Sequence, residues 1–143
     1  MSIRFYYNET SWRLKSVAAH RAWLNKVIVA ENRINEGIGF IFTNDSILKE
    51  INIEFLNHDY LTDVITFSYG SYNKLLGEIY ISVDTVRENS FLNRVSMEEE
   101  FRRVMVHGIL HMCGYDDSKE EERESMRKLE DRYLELYKNE FRI

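Results

Sequence analysis

Two histidines four residues apart, His107 and His111, lie in the apolar run 104–112, and Gly114, Asp116 and Asp117 follow at once. Neighbours at i and i+4 on a helix share a face, with Cβ atoms roughly 5–6 Å apart. That spacing lets two imidazole nitrogens converge on one metal ion. Around the wheel of a 3.6-residue helix, His111 falls about 40° from His107, whereas Cys113 falls about 240° away and makes a poor ligand for the same ion. Val104, Met105, Val106, Ile109, Leu110 and Met112 cover most of the remaining circumference. A helix apolar nearly all round is buried, so the histidines border the core. Glu100 and Arg103 share their face. Gly114 is suited to end the helix, because glycine takes the left-handed conformation without a Cβ clash. The turn there lets Asp117 or Asp116 swing back as a third ligand, and three protein ligands are what a catalytic zinc site uses. Residue 108 is Gly, so the H-E-x-x-H pattern of metalloproteases, with its general-base Glu, is absent.

The other elements follow from periodicity and turn residues. Ile3 to Tyr7 is β-prone. A helix is predicted from Trp12 to about Asn32, with Trp12, Val17, Ala19, Trp23, Val27 and Ile28 as core candidates. His20 on it is expected to be a surface or hydrogen-bonded residue. Gly37 to Thr43 reads as a second strand. Asn44-Asp45-Ser46 is an N-cap cluster before a helix from Ile47 to about Leu56, expected to bury Ile47, Leu48, Ile51 and Phe55. Val64 to Phe67 and Leu76 to Val83 read as an antiparallel hairpin around the loop Gly70 to Lys74. Asp84 opens a short helix. Ser96 with Glu99 forms a capping box that starts the histidine helix. From Ser118 a charged helix runs on, with Met126, Leu129, Tyr133 and Tyr137 on its apolar face.

At 143 residues the chain is expected to be one domain, 1–143. Its single Cys forbids an internal disulfide and fits a reducing compartment. No signal-peptide pattern and no run of about 20 apolar residues is present, so a cytoplasmic protein with no membrane partner is expected. The net charge of −5 argues mildly against a broad nucleic-acid surface, though a local basic groove is compatible with it.

Three blocks resemble one known family. His107-Gly108-Ile109-Leu110-His111-Met112-Cys113-Gly114-Tyr115-Asp116-Asp117 is similar to the H-G-x-L-H-L-x-G-Y-D-H signature of the YbeY-type endoribonucleases of bacterial ribosomal RNA maturation. The stretch 52–67, from Asn52-Ile53-Glu54-Phe55-Leu56 to Thr62-Asp63-Val64-Ile65-Thr66-Phe67, resembles the family's N-x-x-Y-R-x-x-D-x-P-T-D-V-L-S-F. Gly77-Glu78-Ile79-Tyr80-Ile81-Ser82 resembles G-D-I-x-I-S. The blocks stand in the family's order. Three positions depart from it: Asp117 takes the third histidine's place, Leu56 that of the arginine implicated in RNA cleavage, and Leu61 that of the proline.

The resemblance implies an α+β fold, a small mixed four-stranded sheet packed with about five helices, with the metal-bearing helix beside a cleft bordered by the hairpin. It implies zinc as the metal, one ion per chain. RNA, namely 16S rRNA, and the small ribosomal subunit are the implied partners. His107, His111 and Asp117 are then the metal ligands and the catalytic set, acting through a bound water. A carboxylate is a legitimate zinc ligand, but the more anionic site should acidify that water less. Arg103 is the candidate to replace the missing arginine's charge, with Glu99 or Glu100 as the alternative partners that would tie it up. Asp116 is a candidate to orient a ligating ring. His58-Asp59 is expected to be a turn pair, or to order an RNA-facing loop. Two other functions fit the residues: a non-catalytic assembly factor with a structural metal, and a metal hydrolase of another substrate.

Overall fold

The computed structural model describes residues 2–57 and 62–141. His58, Asp59 and Leu61, with the roles expected of them, lie outside the described residues. β1 (Ile3–Tyr7) buries Ile3 and partly buries Phe5 and Tyr7, while Arg4 and Tyr6 point the other way, the period of two of a half-covered strand. α1 (Val17–Ala30) follows, then β2 (Ile34–Thr43), α2 (Asp45–Leu56), β3 (Val64–Ser68), β4 (Lys74–Ser82), α3 (Val83–Asn93), α4 (Met97–Met112) and α5 (Glu120–Glu140). The strands form one mixed sheet in the order β1-β2-β4-β3. β1, β2 and β4 run parallel, and β3 closes the edge antiparallel to β4, with Thr66 opposite Ile79. The expected architecture and hairpin are therefore present.

One face of the sheet carries the core. Ile3, Phe40, Phe42, Ile79 and Ile81 pack against Trp23, Leu24 and Ile28 of α1, Phe101, Met105 and Ile109 of α4, and Tyr133 of α5. Burying a side chain the size of Phe40, Phe42 or Phe101 stabilises the fold by about 1.5–3 kcal/mol. α4 crosses β4 at Gly108, where an added Cβ would stand 2.9 Å from two carbons of Ile79. The missing side chain is what lets the histidine helix lie so close to the sheet.

Several boundaries differ from expectation. α1 starts at Val17, not Trp12. Trp12 instead plugs the core from the preceding loop, its ring stacked 3.9 Å from that of Phe101. β2 begins three residues before Gly37, because a bulge between Asn35 and Gly37 hides the start of the strand from a search for alternation. Gly37 holds φ +136° there, and its N–H donates to Asn35 Oδ1 at 2.9 Å. In α2 only Leu48 and Asn52 are buried, and Phe55 is 63% exposed. The inward stripe of that helix is one i, i+4 pair, and Phe55 falls outside it. Val83 leaves the strand to open α3, whose N-cap is Ser82. His20 is buried, so its expected hydrogen-bonded state holds and the surface alternative does not: Nδ1 donates to the Ser16 carbonyl at 2.9 Å.

Candidate metal centre

Ser96 starts α4 as expected, its Oγ accepting the Glu99 N–H at 3.1 Å, and Glu98, Glu99 and Glu100 favour the positive end of the helix dipole. At the other end Gly114 takes φ +105°. The Gly114 N–H donates to the His111 carbonyl at 3.0 Å and the Tyr115 N–H to that of Leu110 at 3.1 Å. The chain is thereby folded back along the last turn of α4, which returns Asp117 to the two histidines.

There three donor atoms form a triangle. His107 Nε2 and His111 Nε2 are 3.0 Å apart, and Asp117 Oδ2 lies 3.2 Å from the first and 3.3 Å from the second. Tetrahedral zinc with bonds of about 2.0–2.1 Å would space its ligands about 3.3 Å apart. Among the described residues, His107, His111 and Asp117 are the one group of three so placed.

The tautomers follow from the outer ring nitrogens. His111 Nδ1 is 2.9 Å from the Tyr115 carbonyl, which can only accept, so Nδ1 carries the proton. His107 Nδ1 donates to Glu130 Oε2 at 2.6 Å. In both neutral rings the lone pair is therefore on Nε2, facing the other ring and the Asp117 carboxylate. Three electron-pair donors at such distances repel one another unless a cation or a proton lies among them. The donor set thus fits a metal ion. Burial disfavours a charged His107, but the hydrogen bond and charge of Glu130, with Asp117 and Asp63 behind it, outweigh burial and raise its pKa above the usual 6.5. The proton is the metal's competitor for this site.

Glu130 escaped the sequence reading because it sits on the charged helix one position after Leu129 and looks like part of a solvated face. In the fold it is 5% exposed. Its other oxygen, Oε1, accepts from Arg103 at 2.9 Å, and Arg103 also donates to Asp131 at 2.6 Å. Arg103, the candidate for the missing arginine's charge, therefore lines the cleft but is tied to α5: its partners are Glu130 and Asp131, not the alternatives Glu99 or Glu100. Those alternatives share its helix, whereas the packing of α5 alongside α4 supplies the partners it has. Asp116 is exposed. The two ligand rings are oriented by Glu130 and by the Tyr115 carbonyl. Cys113 is buried on the far side of the helix, and burial pushes its thiol pKa up to about 11. That is a packed, protonated thiol, as its place on the wheel predicts.

Two cavities meet at the triangle. One, of about 500 Å³, lies between α4 and α5 and is lined by Glu100, Arg103, Arg123 and Arg127. The other, of about 570 Å³, lies towards β3 and is lined by Asn52, Leu56, Thr62 and Thr66. Asp63, His107 and Asp117 line both. Asp63 also escaped notice as a site residue, although it stands in the second matched block. Burial raises its carboxyl pKa, with His107 opposing and Glu130 and Asp117 adding to the shift. No helix among the described residues is long and apolar enough to cross a membrane.

Comparison with known proteins agrees with the three sequence blocks. The family model described as Endoribonuclease YbeY matches residues 6–138. A Flavobacterium johnsoniae protein named Endoribonuclease YbeY is 46% identical over 136 residues, covering 94% of this chain and 96% of the relative. One of the same name from Parabacteroides distasonis is 37% identical over 142 residues, covering 99% and 100%. The solution structure of TM1509 from Thermotoga maritima is similar at a TM-score of 0.67 and 26% identity, covering 95% of this chain and 89% of that one. With fold, motif order and near-complete coverage in agreement, the chain belongs to the YbeY endoribonuclease family.

Proposed function

We propose that this chain is a metal-dependent endoribonuclease that hydrolyses phosphodiester bonds of single-stranded RNA in 16S rRNA maturation on the small ribosomal subunit, in the cytoplasm. The observation that carries the metal assignment is the donor triangle of His107, His111 and Asp117, with edges of 3.0–3.3 Å. Two nitrogens and one carboxylate oxygen suit zinc, one ion per chain. Bound there, such an ion lowers the pKa of a water and polarises a phosphoryl oxygen.

The chain's own residues do the rest. Glu130 and the Tyr115 carbonyl fix the two rings with Nδ1 protonated, leaving Nε2 free to ligate. Arg103 holds Glu130 in place. Asp63, whose pKa burial raises, lies in the shared wall of both cavities, which supports it as the proton-transfer candidate for the hydrolysis. A cleft that continues on both sides of the triangle suits cutting within a strand. The test is cleavage of single-stranded RNA by the metal-loaded chain and by His111→Ala. Loss of cleavage in a folded variant supports the proposal, and unchanged cleavage overturns it.

One observation favours a second function. Leu56, at the family's arginine position, lines the β3-side cavity. A chain that binds RNA there with no turnover would be an assembly factor whose metal is structural.

A further inference from the structure

We propose that Glu31, at the far end of α1, is a positioning residue of the metal centre that acts on His111 through Tyr115. The inference rests on the metal assignment above. Glu31 caps the C-terminus of α1, where its negative charge opposes the helix dipole. Two tyrosine hydroxyls compensate: Tyr115 donates to Oε1 at 2.7 Å, and Tyr133 donates to Oε2. Both phenols stay protonated as donors. The bond to Glu31 and then burial raise the pKa of Tyr115, and burial and then Glu31 raise that of Tyr133.

The carboxylate is itself firmly held. The Tyr133 carbonyl accepts from Trp23 Nε1 at 2.7 Å, and Trp23 is completely buried between α1 and α5. Glu31 thus transmits the rigidity of the core to Tyr115. Tyr115 follows Gly114, at a point where the chain has just reversed. It is fixed at three atoms: its N–H to the Leu110 carbonyl, its carbonyl to His111 Nδ1, and its hydroxyl to Glu31. The first two bonds lie within the turn and move with it. The third ties the turn to a different helix. Without it the Tyr115 carbonyl loses its external anchor, and His111 loses the fixed acceptor that keeps its Nε2 turned toward His107 and Asp117.

The two tyrosines separate positioning from plain stabilisation. Each gives Glu31 one hydrogen bond, but only Tyr115 also touches a ligand. Zinc affinity is to be measured by chelator competition for the parent, Tyr115→Phe, Tyr133→Phe and Glu31→Ala. In parallel, the ring nitrogens of His111 are to be observed by ¹⁵N NMR in the metal-free proteins. Tyr115→Phe and Glu31→Ala are expected to weaken zinc about tenfold or more, the scale set by other outer partners of metal ligands, while Tyr133→Phe stays within about twofold. The same two variants move the His111 ring-nitrogen signals away from those of the parent, which Tyr133→Phe keeps. All three lower Tm. Equal effects of the two tyrosine changes, or an unchanged affinity and unchanged ring signals in Tyr115→Phe and Glu31→Ala, would overturn the inference and leave Glu31 a fold-stabilising residue. If the parent binds no zinc, the metal assignment fails, and the ring spectra still decide whether Glu31 holds His111.

Discussion

His107 Nδ1 lies 2.6 Å from Glu130 Oε2, and the same carboxylate takes Arg103 at 2.9 Å through its other oxygen. A ligand ring, a carboxylate and a guanidinium therefore form one chain of hydrogen bonds from α4 to α5. Glu130→Ala removes the middle link. It leaves Arg103, whose side chain is 19% exposed, without its buried partner. Breaking a buried pair from one side costs about 3–5 kcal/mol, and Asp131 keeps this loss to the lower end. Glu130→Gln keeps an acceptor for one neighbour and should lose less. Urea unfolding gives the stability order parent, Glu130→Gln, Glu130→Ala, and zinc titration gives the same order for affinity.

Asp117 tests whether the triangle is a ligand set. Asp117→Ala removes one corner and should take the bound metal from about one ion per chain to a small fraction of that after dialysis. Asp117→His puts back the residue that the family signature has there, and is expected to keep about one ion. Plasma mass spectrometry on tag-free protein reads both. Full occupancy in Asp117→Ala would remove the aspartate from the site.

Leu56 lies on the wall of the β3-side cavity and is 41% exposed, so a longer polar side chain has room there. Leu56→Arg should tighten single-stranded RNA binding. It should also steepen the dependence of log K on log salt by about 0.7, the contribution of one neutralised phosphate on a single strand. Fluorescence anisotropy at several salt concentrations measures the slope, and an unchanged slope would show that no phosphate passes this wall.

How far the sequence spoke depended on the range of each interaction. The triangle was legible because its parts lie within eleven residues, on one helix turn and the reversal that follows it. Gly114 as the stop and Ser96 as the cap are likewise local chemistry. Glu130 and Glu31 were not legible: each meets the site through packing between helices, and neither carries a local pattern that separates it from surface carboxylates. The partners of Arg103 were misplaced for the same reason. Trp12 and Phe55 show the limit of periodicity: Trp12 continues the apolar pattern of α1 but packs into the core from the loop before it, and Phe55 lies within α2 but faces outward.

His20 gives a pH signature of its own. Burial lowers its pKa below 6.5, the Ser16 carbonyl opposes this, and Arg102 of α4 adds to it. Tyr137 of α5 stacks on the ring at 4.9 Å and carries no charge to offset the cation. The unfolded chain takes up this proton near pH 6.5, whereas the folded chain does so only at lower pH. The stabilisation is therefore complete above about pH 6.5 and is lost as pH falls through the folded value. Metal-free parent should lose more Tm between pH 7.5 and 5.5 than metal-free His20→Gln. His107, with its raised pKa, acts in the opposite sense, stabilising below about pH 6.5, but it is common to both proteins and cancels in the comparison.

Gly108 ties the position of the ligands to the sheet. It sits between the two histidines, and a Cβ there would stand 2.9 Å from Ile79 Cδ1 and Cγ2, closer than carbon atoms approach. Helix propensity alone favours Gly108→Ala by about 1 kcal/mol. The contact with Ile79, which is fully buried, works against it, because overpacking a filled core costs about 1–3 kcal/mol. Relief of that contact by moving α4 off β4 would carry His107 and His111 away from the shared wall at Asp63. Gly108→Ala is expected to be less stable than the parent, and Gly108→Ala with Ile79→Val to recover part of the loss by removing one of the two clashing carbons. Stability from urea unfolding reads the first effect and zinc affinity the second. A gain in stability on Gly108→Ala would mean that helix propensity, and not the approach to β4, sets the residue at this position.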